Sequence, residues 1–371
     1  MKNRMCEMFG IKVPVFAFSH CRDVVVEVSK AGGLGVLGVG RMSPERLREE
    51  LRWIDDHIDG RPYGIDVLNP TTYEDPGTDR DIEKVIPADH LNFVRTLLDD
   101  AGIPRLPAAE DKQIRANLMK EYAYTPEEGA RMIEVALEHP IKLIVNALGS
   151  PSRDLVERAH ARGIKVAAMA GAEKHALRHK EVGCDFVIAV GHEAGGHTGK
   201  TTSLVLWPRI VDAVAPLPVL GAGGVVRGRQ VAAALALGCE GVWCGSVWLT
   251  TAQSEVTPEI KAKIIAAGPD DSLHTKTVTG KTARTLRNAF SEAWDRPDAP
   301  PVLPPPHQMM LWWSEGRTRV ERARAIDFLT YPIGQVVGDM NAETSVRNVI
   351  QDMMVELVET KLRLDEGLDE S

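Results

Sequence analysis

From residue 13 to about residue 250 the chain alternates short apolar runs with longer amphipathic stretches. The apolar runs fall at 13–18, 35–37, 63–68, 143–147, 165–169, 186–190, 218–220 and 241–244, and each reads as a buried strand. Between them, helix-period stretches fall at 23–30, 44–58, 126–138, 153–161, 174–182, 204–214 and 228–237. Ser43-Pro44 and Thr125-Pro126 are helix starts, with Pro in the first turn behind a capping hydroxyl. Regular alternation of strand and helix implies parallel pairing through right-handed crossovers. Eight such units predict an α/β fold, a (β/α)8 TIM barrel over residues 1–251 rather than an open sheet. In such a barrel the loops after the strands carry the chemistry, and phosphate groups bind after strands 7 and 8.

Two segments depart from the alternation. Residues 69–124 follow the third strand and contain helix-like stretches at 89–100 and 109–122. A structureless loop of that length is improbable, so the insertion is expected to form a helical lid over the barrel mouth. Its Leu91, Phe93, Leu97, Leu98, Leu118, Met119 and Tyr122 need a surface to bury against, either the rim or the second subunit of a homodimer. Residues 252–371 form an extension, expected to be mostly helical and packed on the barrel. It holds the Pro-rich connector Arg296-Pro-Asp-Ala-Pro-Pro-Val-Leu-Pro-Pro-Pro306 and a helix with an apolar face at 344–362.

The densest chemistry lies after the sixth strand, in Gly191-His-Glu-Ala-Gly-Gly-His-Thr-Gly199. Its glycines let backbone approach a ligand closely, because Gly has no Cβ. An imidazole at His197 titrates near neutrality and can take a proton or steer an anion. His192 reads as structural, and Glu193 as a loop organiser that accepts backbone N–H bonds. After strands 7 and 8, Gly221-Ala-Gly-Gly224 and Gly245-Ser246 are expected to form a nest of backbone N–H groups for a phosphate. The alternative is two tight turns with glycine for geometry alone. His20 ends the first strand, where active-site residues belong. Cys21 beside it is better explained as a small buried residue than as a redox thiol. Asp66 and Asn146 are polar residues in apolar strands and need partners, either a cofactor's ring edges or ribityl hydroxyls, or inter-strand hydrogen bonds inside the barrel. Met169, which ends the fifth strand, is a further candidate cofactor contact. Histidines 57, 90, 139, 160, 175, 179, 274 and 307 read as helix-surface or loop residues.

Charge narrows the function classes. Lys+Arg number 44 against 52 Asp+Glu, a formal net charge of −8, so neither nucleic acid nor an anionic membrane surface is an expected partner. No apolar run approaches the ~20 residues that span a bilayer. The first residues lack a signal-peptide apolar core. Five cysteines without CxxC spacing suggest a reduced, cytoplasmic protein and argue against a zinc cluster. A small-molecule substrate is the expected partner.

Taken together, Glu193-Ala-Gly-Gly-His197 with Gly199, the Gly221–Gly224 turn, Gly245-Ser246 and the early Ala31-Gly-Gly-Leu-Gly-Val-Leu-Gly38 resemble the nitronate monooxygenase family, formerly called 2-nitropropane dioxygenases. Thr285-Leu-Arg-Asn-Ala-Phe290 and Gly334-Gln-Val-Val-Gly338 continue the likeness in the same order. The resemblance covers most of the chain outside 69–124. It implies noncovalent FMN and no metal, with the family's base on His197. It places flavin-phosphate contacts on Gly195, Gly196, Gly223, Gly224, Gly245 and Ser246, and first-strand contacts on Ala17, Phe18 and Ser19. The family's strand-3 flavin residue, usually Asn, falls on Asp66. A second departure is the first-strand ending, usually Ala-Pro-Met and here Phe18-Ser19-His20. The implied activity is oxidation of alkyl nitronates, with O2 as acceptor. The superfamily likeness extends to NAD(P)H-dependent reductases of quinones or acyl thioesters. From the residues alone, a barrel that holds a phosphorylated ligand without turnover stays open.

Overall fold

The computed structural model describes residues 2–40, 42–69, 82–107, 109–111, 113–114 and 126–369. Eight parallel strands close in sequence order: β1 (Val15–Ser19), β2 (Leu34–Gly38), β3 (Tyr63–Val67), β4 (Leu143–Asn146), β5 (Lys165–Ala170), β6 (Phe186–Val190), β7 (Val219–Ala222) and β8 (Gly241–Cys244). The last pairs back on the first, Phe16 against Trp243. These are the eight expected strands, shifted at their ends by a residue or two. The seven expected helices lie between them, Arg22–Lys30, Pro44–His57, Pro126–Ala136, Arg153–His160, Glu173–Val182, Ser203–Val214 and Gly228–Ala236. Ser43 Oγ caps the second by accepting from Arg46 N at 3.2 Å. Thr125 lies outside the described residues.

Alternation along each strand sorts side chains into two layers. Val15, Ala17, Val187 and Ala189 face outward beneath helices, as do Tyr63, Ile65 and Ile144. Phe16, Leu34, Val36, Leu143, Val145, Phe186, Ile188, Leu220 and Trp243 fill the barrel. The N-terminal end of the barrel is closed by a short helix, Arg4–Phe9, that the apolar pattern did not predict. Asn3 Oδ1 starts it by accepting from Met5 N and Cys6 N. The helix places Phe9 edge-on to Phe16 and Phe186, at 5.5 and 6.0 Å between ring centroids.

After β8 come a 3-10 turn, Ser246–Thr250, the helix Pro258–Ala266 and an antiparallel pair, β9 (Ser272–Thr275) with β10 (Ala283–Leu286). The extension is therefore not helical throughout, and its small sheet turns out to serve the site. The final helix, Val346–Asp369, packs back on the barrel through Val346, Val349, Ile350, Met353 and Leu357. Gly228 permits the approach, since a Cβ there would lie 2.1 Å from Met353 O.

The insertion contributes helices Ile82–Val85 and Ala88–Asp100. Leu91, Leu97 and Leu98 are buried with Phe290, Leu311, Trp312 and Ile333 of the extension in a second core. The described part of the insertion thus packs on the extension. Buried Arg319 stitches the two, reaching Asp99 at 2.7 Å and Ile103 O at 2.6 Å. Two histidines expected on surfaces are buried instead. His90 lies between Asp89 and Pro301 O, and His179 donates through Nε2 to Met169 O at 3.0 Å. The expected helix at 109–122, with Leu118, Met119 and Tyr122, falls largely outside the described residues. Among the described residues, no helix is long and apolar enough to cross a membrane.

Candidate active site

The loop after β6 is held by its own polar groups. Glu193 accepts from Ser203 N at 3.0 Å and from Ser203 Oγ at 3.1 Å, capping the helix that follows. It organises the loop, as its place in the sequence suggested. His192 Nδ1 donates to Gly199 O at 2.9 Å and is likewise structural. His197 stands differently. Its Nδ1 lies 3.0 Å from Thr282 O, an acceptor only, so Nδ1 carries the hydrogen and Nε2 keeps the lone pair in the neutral ring. The residue is exposed. Desolvation holds its pKa below that of a free imidazole, the Thr282 carbonyl opposes that shift, and Lys281 adds to it.

Gly195 and Gly196 have distinct reasons to be glycine. A Cβ on Gly195 would lie 2.9 Å from the backbone of Ile333. Gly196 has φ +74° and exchanges both backbone hydrogen bonds with Arg284 on β10. After β7, Gly223 and Gly224 follow one another at φ +96° and +75°, a backbone that L side chains rarely adopt. After β8, Gly245 leads into the 3-10 turn that begins at Ser246. Ser246 Oγ accepts from Gly334 N at 2.9 Å, and Gln335 N donates to Glu193 O at 3.0 Å. A strap at 333–335 thereby ties the loops after β6 and β8 together.

On the other side of the mouth, Gly38 leaves room for two rings. A Cβ there would sit 2.7 Å from Phe18 and 2.9 Å from His20. The two rings meet edge-on at 5.1 Å, and His20 Nδ1 lies 2.8 Å from Gly38 O. Phe18 also stacks on Trp243 at 6.2 Å. Asp66 pairs in register with Gly38 and faces inward, opposite in parity to Ile65 and Val67. It is 3% exposed, and its Oδ2 has no hydrogen-bond partner. Burial pushes its carboxyl well above the usual carboxylate range. Met169 and Val190 flank this upper layer, half-buried.

Three residues expected to contact the cofactor have side chains engaged elsewhere. Asn146 has the outward parity of Ile144, and its amide is spent on backbone: it accepts from Asn69 N and donates to Asn69 O and Gly149 O, at 3.1–3.2 Å. It joins the loops after β3 and β4 and does not face the mouth. The Ala17 methyl points into the helix layer. Ser19 Oγ accepts from Cys21 N at the start of the next helix. Cys21 is buried, with Sγ 3.1 Å from Gln253 O, and all five cysteines are free thiols.

The nitronate monooxygenase family model matches residues 2–356. The chain belongs to that family. It is 47% identical over 370 residues to a Mycobacterium tuberculosis protein named as a monooxygenase, covering 97% of each chain. It is 29% identical over 320 residues to a Staphylococcus aureus protein named as a nitronate monooxygenase, covering 81% of this chain and 83% of that one. Among solved structures, nitroalkane oxidase from Streptomyces ansochromogenes shares the fold at TM-score 0.75 and 24% identity, over 97% and 99% of the two chains. FabK from Thermotoga maritima does so at 0.72 and 22%, over 99% of each. This family member is an enzyme of the flavin-dependent oxidoreductase type.

Two parts of the site went unassigned in the sequence. Arg284 is buried, and its guanidinium holds His192 O at 3.2 Å and Ser272 O at 3.1 Å. The strap at 333–335 is the other. Arg284 directly precedes the motif Thr285–Phe290, and the strap overlaps Gly334–Gly338, both of which matched the family in order. That order was the available signal.

Proposed function

We propose that the enzyme is an FMN-dependent nitronate monooxygenase, oxidising alkyl nitronates or their parent nitroalkanes with O2. The residues fit the cofactor on two observations of the fold. A buried carboxyl oxygen at the mouth has no partner, and consecutive left-handed glycines form a cradle after β7. Backbone N–H groups of Gly223, Gly224, Gly245 and Ser246 would hold the phosphate, aided by the Ser246 hydroxyl. Phe18, His20, Asp66 and Met169 would border the ring. When bound, FMN supplies the two-electron chemistry and the route to O2; the protein supplies position and field.

The observation that carries the reading is the orientation of His197. With Nδ1–H committed to Thr282 O and the pKa depressed, the neutral ring presents the Nε2 lone pair. That atom can take the proton from the carbon that bears a nitro group. A substrate already ionised to its nitronate needs no base, and His197 would then orient it. Anaerobic stopped-flow reduction with propionate-3-nitronate, nitroalkane, NADH and NADPH tests the reading. We expect reduction by the nitro compounds, and a fall of about 10²–10⁴-fold with neutral nitroalkane in His197→Ala at unchanged FMN content. Reduction by NADH or NADPH alone would make the enzyme a reductase. Release of FAD, or of no flavin, from folded protein would overturn the cofactor assignment.

A further inference from the structure

Inside the barrel, acidity is confined to one position of the upper layer. Asp66 is flanked in register by Gly38 on β2 and Val145 on β4, neither of which offers a hydrogen bond from its side chain. Other inward residues of the barrel toward this end include Phe18, Met169, Val190, Ala222 and Trp243, all without charge. Among the described residues, the titratable groups at this end of the barrel include His20, over Gly38, and His192, Glu193 and His197 in the loop after β6. His20 Nδ1 is engaged by Gly38 O, His192 by Gly199 O, Glu193 by Ser203 and His197 by Thr282 O. Arg284 is turned to His192 O and Ser272 O. Among the described residues no cation is paired with Asp66, and an ionised carboxylate without a partner is among the costliest groups to bury.

We propose that Asp66 meets the cofactor as a neutral carboxylic acid and donates its hydrogen to an acceptor atom on the edge of the flavin ring, so that cofactor binding requires that proton. A carboxylate at this position would instead accept, and only from a ring N–H. The distinction matters because a carboxylic acid donates only while it holds its proton. The amide of Asn donates at every pH, so Asp66 makes binding pH-dependent where Asn does not. The direction of the Asp66 shift, upward through burial, favours the neutral acid. The proposal rests on the FMN reading above.

The test removes FMN from purified enzyme and titrates it back across the pH range, following flavin fluorescence. Wild type, Asp66→Asn and Asp66→Ala are compared, and infrared difference spectra of the flavin-free proteins accompany them. The wild type should bind FMN with constant affinity at low pH, then lose about tenfold per pH unit above the Asp66 pKa. Asp66→Asn should bind without that slope, and Asp66→Ala weakly throughout. The wild-type minus Asp66→Asn infrared spectrum should show the C=O stretch of a protonated carboxyl at neutral pH. Wild-type affinity that strengthens as pH rises, or a slope retained in Asp66→Asn, would overturn the role of Asp66 while leaving the FMN reading intact. Failure of folded wild type to bind FMN at any pH would overturn both.

Discussion

The two ends of the barrel are made by the same eight strands and filled in opposite ways. At the N-terminal end, Met5, Phe9, Phe16, Leu34, Leu143, Phe186 and Leu220 pack with almost no exposure. At the C-terminal end the same inward positions hold Phe18, Gly38, Asp66, Met169 and Val190, with a glycine, a lone carboxyl and half-buried side chains among them. One end spends its volume on packing, and the other leaves shape and polarity for a ligand. Stability and function therefore reside at opposite ends, as barrel geometry favours.

The largest effect should come from breaking the packed end. Phe16→Ala removes a fully buried ring that contacts Phe9 and Phe186. We expect a loss of about 3–5 kcal/mol in unfolding free energy. Its upward shift in melting temperature on adding FMN should match the wild type, since the mouth is untouched. A variant that folds but no longer responds to FMN would show that the two ends are coupled.

Gly195→Ala attacks the other end. The new methyl meets Ile333 backbone at 2.9 Å and must displace the strap that binds Ser246 and Glu193. Overpacking of this kind costs about 1–3 kcal/mol. Here the response to FMN should shrink while the flavin-free melting temperature falls only modestly, the reverse of Phe16→Ala. A full FMN response would exclude the strap from the cofactor site.

The barrel was legible because burial on both faces of a parallel sheet writes continuous apolar runs, and these occur at regular spacing. That same continuity hid which way each residue points. Asp66 and Asn146 give one signal in sequence, a polar residue in an apolar strand. Only the register separates them, sending Asp66 inward without a partner and Asn146 outward to three backbone bonds. Glu193 was readable as a loop organiser because glycine-rich loops constrain what can sit in them. Arg284 was not, because it reaches that loop from a strand far along the chain. The closing helix Arg4–Phe9 was missed because six residues are too few for a periodic pattern to register.

A smaller effect follows from acidity at the mouth. Asp66 has its pKa raised by folding, so the folded chain keeps a proton that the unfolded chain loses above its own value near ~4. The stability this group contributes is full below that value and is lost as pH rises through the raised pKa. Asp66→Asn has no proton to lose. Its stability relative to wild type should therefore climb with pH across that window, by at most about 1.4 kcal/mol per pH unit. Urea unfolding of flavin-free protein at several pH values reads this directly. A difference independent of pH would mean that Asp66 is ionised in the fold.

The smallest change, Ser246→Ala, separates the strap from the phosphate. Ser246 Oγ accepts one hydrogen bond, from Gly334 N at 2.9 Å, and its own hydrogen remains available to an oxygen acceptor. Loss of the first bond should cost about 0.5–1.5 kcal/mol of stability in the flavin-free protein. Loss of the second should appear only with a phosphate-bearing ligand. Riboflavin has the ring of FMN without its phosphate, so the two ligands divide the contributions. We expect Ser246→Ala to weaken FMN binding and leave riboflavin affinity near the wild-type value. Equal weakening of both would place Ser246 with the strap alone, and the phosphate would then depend on the Gly223-Gly224 cradle.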